Sequence, residues 1–350
     1  MFQMFLIPSH ADTLALAIAV AILYLAVIRF LDMNEKEPLW AIGLLFSLGA
    51  VAAVVLSLLV SSPTLELTVL PASFAEEAAK FVAIAGGVAA LTAMGRLRGW
   101  SEISGLMDGL VYGAAAGLGF STGQVFIQRL LFNQTFTPGF EPGPLSVLWT
   151  TALVGLADGI FGAIVGAGFG AKAQARSSIE RVGYPIAGFL GAVLAHAGYL
   201  VLSRGNALGG PSALLRAWLA LLFPLLFIVV VAGYAWIQER RTIRKELADE
   251  VQTGVVTQEE IAILLSVTTR QFLPLKALLR GDYRTWAGLR SLHNRQVQLA
   301  LAKRRSVLAR DEKHHAASET EVGHLRNSIL EIKQALASAS HSTDMEGAKT

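Results

Sequence analysis

Residues 68–94 read TVLPASFAEEAAKFVAIAGGVAALTAM. Glu76, Glu77 and Lys80 are the ionisable side chains of this run, and 68–75 and 81–94 hold no other. A hydrocarbon core of roughly 30 Å is crossed by about 20 apolar helical residues, so the run is long enough to span a membrane. The fold turns on whether it does, and the rest of the chain answers. Working outward from it, six more stretches pass the same criterion: about 12–31, 38–61, 105–132, 146–171, 182–203 and 212–237. Unpaired backbone groups are not tolerated in lipid, so all seven are expected to be helices. The first is too long for a signal-peptide core and no basic residue precedes it, which predicts a retained span.

Composition agrees. The 350 residues are 53% hydrophobic and 16% charged, with mean hydropathy +0.53, values that point away from a soluble enzyme. Asp, Glu, Lys and Arg number 23 in residues 1–237 and 32 in 238–350. The expected fold is therefore all-α: a polytopic membrane bundle over 1–237, a helical cytoplasmic tail over 238–337 and a disordered end, 338–350. Cysteine is absent, which excludes disulfides, thiol nucleophiles and thiolate metal sites. A net charge of +3 gives no ground for a nucleic-acid partner.

Orientation follows from the basic residues of short loops. With the N-terminus outside, Arg29, Lys36, Arg96, Arg98, Lys172, Arg176 and Arg181 lie inside, against Arg129, Arg204 and Arg216 outside. The last span ends at QERRTIRKE (238–246), a basic stop on the inner, cytoplasmic side. Glycines crowd the fourth to sixth spans, and small residues three or four apart let helix backbones approach, so these three are expected to form the packed centre. In the tail, Thr257 stands three residues before Glu260, the spacing of a capping box ahead of an apolar run. Residues 279–310 form a basic amphipathic segment suited to a solvated bundle, anionic lipid or a partner helix.

Ionisable groups inside spans are costly and face the bundle interior or water, so they are the functional candidates by default. Here they are Glu76, Glu77, Lys80, Asp108, Asp158 and His196, with Gln124 as a neutral companion. At ~1.5 Å rise per residue, Glu76, Glu77, Gln124 and His196 lie about 11–13 Å from the outer face and Asp158 about 18 Å. Four helices thus bring polar groups to one layer, while Asp108 falls near the inner end of its own. Glu76 and Lys80 are spaced i,i+4 in the order that favours an ion pair; Glu77 is rotated by 100°, with Lys80 still in reach at i+3. One carboxylate is then neutralised while the other faces a metal, water or a proton. The competing reading is a self-contained ion-pair network. A carboxylate plus the His196 imidazole can hold Zn2+ with a position left for water, and a second carboxylate can act as general base.

These residues resemble the PrsW-type intramembrane metalloproteases, within the broader CAAX-protease-like group. AEEAAKF (75–81) is similar to the EExxK helix of that family, and MDGLVYGAAAGLGF (107–120) to its D-G-[IL]-x-Y-G…G-F segment. FLDMNEKEPLW (30–40) looks like its D-x-x-E-x-E-P turn, and LAHAGYLVL (194–202) its late histidine helix. The resemblance runs over about 30–205. It departs at Gln124, Val125, Asp158 and Leu200, where the family has Glu, Asn, His and Asp. It implies a bacterial inner-membrane peptidase that cleaves membrane-embedded or membrane-adjacent proteins, such as anti-sigma-like regulators. Glu76 or Glu77 would then be base or ligand, His196 and Asp158 further zinc ligands, Lys80 the neutralising cation, and Gln124 the group that orients water or substrate. Two other classes fit the residues: an inactive relative that binds membrane segments, its tail recruiting a cytosolic partner, and a proton- or cation-coupled transporter.

Overall fold

The computed structural model describes residues 10–31, 37–60, 68–98, 103, 105–130, 144–204, 211–308 and 312–347. Asp32, Glu35 and Lys36 lie outside them, as do the side chains of Arg96, Arg98, Arg129, Arg204 and His314. Among the described residues there are eleven helices and no strand. Seven are long and apolar enough to cross a membrane: α1 (His10–Leu31), α2 (Leu39–Val60), α3 (Val69–Arg98), α4 (Leu106–Leu130), α5 (Pro144–Ala173), α6 (Ser178–Arg204) and α7 (Pro211–Glu246). These correspond one for one to the seven runs in the sequence. Four further helices follow: α8 (Gln258–Leu265), α9 (Val267–Leu279), α10 (Tyr283–Leu308) and α11 (Glu312–Gly347). α11 runs to Gly347. No proline interrupts 338–347, and a formed helix extends at one hydrogen bond per added residue. The chain separates into two compact units, and residues 234–350 make up most of the second.

The first unit is built around α4 and α5, whose windows are almost wholly buried. They run antiparallel with glycine against glycine. A Cβ added at Gly113 would overlap the carbonyl of Gly162, and one at Gly117 the carbonyl of Asp158. Where lipid supplies no hydrophobic contrast, such backbone contact is the main source of helix–helix affinity. The third close partner is not α6, as the glycine content suggests, but α2. Gly49 sits on Ala116, while Gly119 and Gly123 of α4 sit on Phe46 and Ala50. α6 packs on α5 near Gly168 and Gly188, yet most of its surface is open, and Gly183 and Gly198 meet nothing. Gly188 and Gly191 are contact positions, whereas Gly183 and Gly198 are lipid-compatible spacing. Leu45, Ile84, Tyr112, Phe161, Val165 and Leu221 fill the space between these helices.

The second unit has its own core, including Ile243, Leu247, Val256, Leu264, Leu299 and Ile329. The capping box is formed: Glu260 N–H donates to Thr257 Oγ1 at 3.2 Å, and Thr257 N–H to Glu260 Oε2 at 2.8 Å. Buried Glu250 accepts from Lys303 at 2.7 Å and from two nitrogens of Arg326 at 2.7 and 3.0 Å, joining the turn after α7 to α10 and α11. Burial works to raise its carboxyl, and the two cations outweigh that and hold it below the usual range. His293 on α10 is pushed the other way: burial, then the charge of Arg270, lowers it to about 4.

His293 therefore enters the fold neutral, and the unfolded chain takes up its proton first as pH falls. Its contribution is intact above about 6.5 and is lost as pH falls from there through about 4. Limited proteolysis of the full chain in micelles should cut α10 faster at pH 5 than at pH 7, and His293→Gln should flatten the difference. An unchanged pH dependence in that variant would assign it to another group.

Candidate active site

α3 buries a single stripe: Ser73, Glu77, Lys80, Ile84, Gly87 and Leu91. The spacing alternates between three and four residues, the repeat of one helix face. Glu77 and Lys80 lie on that face and Glu76 beside it, which decides the pairing. Lys80 Nζ donates to Glu77 Oε1 at 2.7 Å and, across to α5, to Asp158 Oδ1 at 2.5 Å. The expected Glu76–Lys80 pair is not the one formed. Asp158 draws the ammonium inward, and Glu77 is the carboxylate that shares its face. Both Glu77 and Lys80 are fully buried. The ammonium also lies 4.8 Å from the Phe120 ring centroid and 5.6 Å from that of Phe161, so aromatic faces cover what the carboxylates leave open.

α6 brings the imidazole. His196 Nδ1 is 2.8 Å from Glu77 Oε1, and its ring stacks on Phe161 with centroids 4.8 Å apart. With Nδ1 engaged by the carboxylate, Nε2 is the ring nitrogen that faces outward. That nitrogen faces Glu76 Oε2 at 4.0 Å. Glu76 is the accessible member, 28% exposed at its side chain, whereas Glu77, Lys80, Asp158 and His196 are buried. Of the predicted residues, five converge. Gln124 stands on α4 one turn beyond Phe120, half-buried, and no hydrogen bond joins it to the cluster among the described residues. Asp108 lies apart, accepting from Gly105 N–H at 3.1 Å at the start of α4.

One further buried acid of the membrane unit was not among the candidate site residues, although it lies in the 30–40 motif. Glu37, at the head of α2, accepts a short hydrogen bond from the Tyr112 hydroxyl, and its backbone carbonyl accepts one from Arg29. Tyr112 is two turns before Phe120, about 12 Å along α4, so this is a separate contact tying the α1–α2 turn to the centre. An acid directly before a proline that opens a span is the signal that marks it.

The chain matches the PrsW family intramembrane metalloprotease model over residues 37–234, more than half its length. It belongs to the PrsW family. The match covers α2 to α6 and most of α7, the helices that assemble the cluster. No curated protein and no solved structure matches the chain. This PrsW-family chain is thus a multi-pass membrane protein from a family of intramembrane peptidases described as metal-dependent.

The residues fit a resident metal poorly in this arrangement. Glu77 and Asp158, two of the three ligands expected from sequence, both grip Lys80, so an ammonium takes the place a cation would have. Glu76 Oε2 and His196 Nε2 face each other, but among the described residues no three of His, Asp and Glu are gathered about a common point. Zinc sites of the catalytic kind draw three protein ligands together. The cluster instead offers one held imidazole, one open carboxylate and an ion network behind them, in which Glu77 Oε2 is left without a hydrogen bond among the described residues.

Proposed function

We propose that this chain is a peptidase that hydrolyses membrane-embedded or membrane-adjacent protein segments, with Glu76 and His196 as the reacting pair. The observation that supports it most is the 4.0 Å separation of Glu76 Oε2 and His196 Nε2 at the open edge of a buried network. A single water bridges such a gap with two ordinary hydrogen bonds. Glu76 takes the proton as the water oxygen bonds to the peptide carbonyl carbon, and returns it to the nitrogen as the C–N bond breaks. Glu77, Lys80 and Asp158 position His196 and keep Nε2 directed at that water. Gln124 orients substrate and has no charge with which to act as base. Placement of the pair within two spanning helices favours substrates that are themselves in the bilayer, and the basic loops favour a bacterial inner membrane with the tail cytoplasmic.

Mapping of new protein N-termini in host membranes tests this. Wild type should generate termini that Glu76→Gln and His196→Gln both abolish, with rates down about 10²–10⁴-fold. Intact cleavage in both variants would remove the pair from the chemistry. Cleavage that stops with a chelator and returns with zinc would put a metal back in the site. Absence of any termini, with a membrane protein still co-purifying, would favour the inactive binder.

A further inference from the structure

α9 is inside out. Its buried face carries Arg270, Pro274 and Ala277, while Phe272, Leu275 and Leu279 point away from the protein; Phe272 is 60% exposed and Leu279 77%. The three apolar residues fall at i, i+3 and i+7, one stripe down the helix. A water-facing helix of a folded unit shows the opposite pattern. The stripe continues past the end of the helix. Gly281, with φ +78°, closes α9 through hydrogen bonds from Gly281 N–H to Leu278 O and from Asp282 N–H to Ala277 O, each at 3.0 Å. Asp282 then caps α10, accepting from Thr285 N–H at 2.9 Å. This tight corner brings exposed Tyr283 beside the end of the stripe.

The rim is basic. Lys276, Arg280 and Arg284 are exposed along and just beyond the stripe. Over residues 261–310 there are ten Lys and Arg against one acid, Asp282. Lys303, Arg304 and Arg305 of this set are engaged by Glu246, Asp249, Glu250 and Glu321 inside the unit. Lys276 and Arg280 form no ion pair among the described residues. An apolar stripe with Phe and Leu at its centre and uncompensated Lys and Arg at its border is the chemistry of a helix lying in an anionic lipid interface. The surface it needs is supplied by the same chain: α7 is a spanning helix, and a short turn and α8 separate its end from α9. Tethering makes that encounter intramolecular, so a weak individual affinity suffices.

We infer that α9, with Tyr283, docks flat on the anionic phospholipid headgroups of the membrane that holds the spanning helices. The absence of native cysteine makes the test direct. Full-length protein carrying Leu275→Cys, or separately Leu279→Cys, is labelled with a polarity-sensitive fluorophore; Gln334→Cys on α11, also exposed, is the reference. Each is placed in nanodiscs of phosphatidylglycerol and phosphatidylcholine, or of phosphatidylcholine alone. At 275 and 279 the label should be quenched severalfold more strongly by brominated acyl chains than at 334, and shielded from aqueous iodide. The lipid quenching should weaken in phosphatidylcholine alone and when Lys276, Arg280 and Arg284 are all changed to Ser. Labels at 275 and 279 that iodide reaches as freely as at 334 would overturn the inference. Shielding from both quenchers would overturn it too, because the face would then be covered by protein.

Discussion

Lys80→Met is expected to lower the stability of the membrane unit by about 3–5 kcal/mol, the range for removing one partner from a buried ionic cluster. The reason lies in what is left behind. Glu77 and Asp158 would face each other in a fully buried space with no cation between them, and the Phe120 and Phe161 rings offer no hydrogen bond in its place. Methionine fills the volume of the stem, so the loss reports charge rather than packing. Glu76→Gln should change stability by less than about 1 kcal/mol, since that carboxylate is partly exposed and its imidazole partner is 4.0 Å away. Thermal or denaturant unfolding in micelles measures both. Lys80→Met within 1 kcal/mol of wild type would mean that Lys80 does not hold the two carboxylates together. Adding Asp158→Asn to Lys80→Met should recover part of the loss, because the two residues share one interaction.

Gly117→Ala is expected to be nearly as damaging through a different route. The new methyl would overlap the carbonyl of Asp158, which is backbone and has no rotamer with which to give way. Overpacking of a tight interior destabilises by about 1–3 kcal/mol, and here the helices must part at the residue that receives Lys80. Stability and cleavage should therefore fall together. Gly86→Ala is the control, because a Cβ there meets nothing within 4 Å; it should be neutral or stabilising by up to about 1 kcal/mol. Equal effects at the two positions would show that α4 and α5 are not in the glycine contact described.

The seven spans were legible because hydropathy over about 20 residues is a one-dimensional property. The shared depth of Glu77, Asp158 and His196 was legible for the same reason: rise per residue converts sequence distance into height. What height does not give is azimuth. The choice between Glu76 and Glu77 as partner of Lys80 depends on which face of α3 meets α5, and that is set by Asp158, 78 positions away from Lys80. The stripe Ser73, Glu77, Lys80, Ile84, Gly87, Leu91 could have supplied it, had small and polar residues been counted as interior together with apolar ones. The prominence of α6 was overestimated because glycine permits close contact without requiring it. In the tail, the capping box was readable since all its parts lie within four residues. The outward stripe of α9 was not, because an apolar stripe in sequence carries no sign for inward or outward.

The glycine contacts have a mechanical consequence. Among the described residues, close backbone approach joins α4 to α5, α2 and α1, and α5 to α6 and α1, but α3 has no such partner. It is held through side chains: the Lys80 and Glu77 bonds, and the rings of Phe74 and Phe81 against Phe189 and Phe169. The helix bearing both glutamates is therefore attached by the buried ion network and the aromatic rings rather than by a glycine seam. Side-chain contacts lengthen and reform by rotamer changes, whereas a glycine seam either touches or parts. The bundle is joined backbone to backbone on one side of the cluster and side chain to side chain on the other, with Glu76 on the second side.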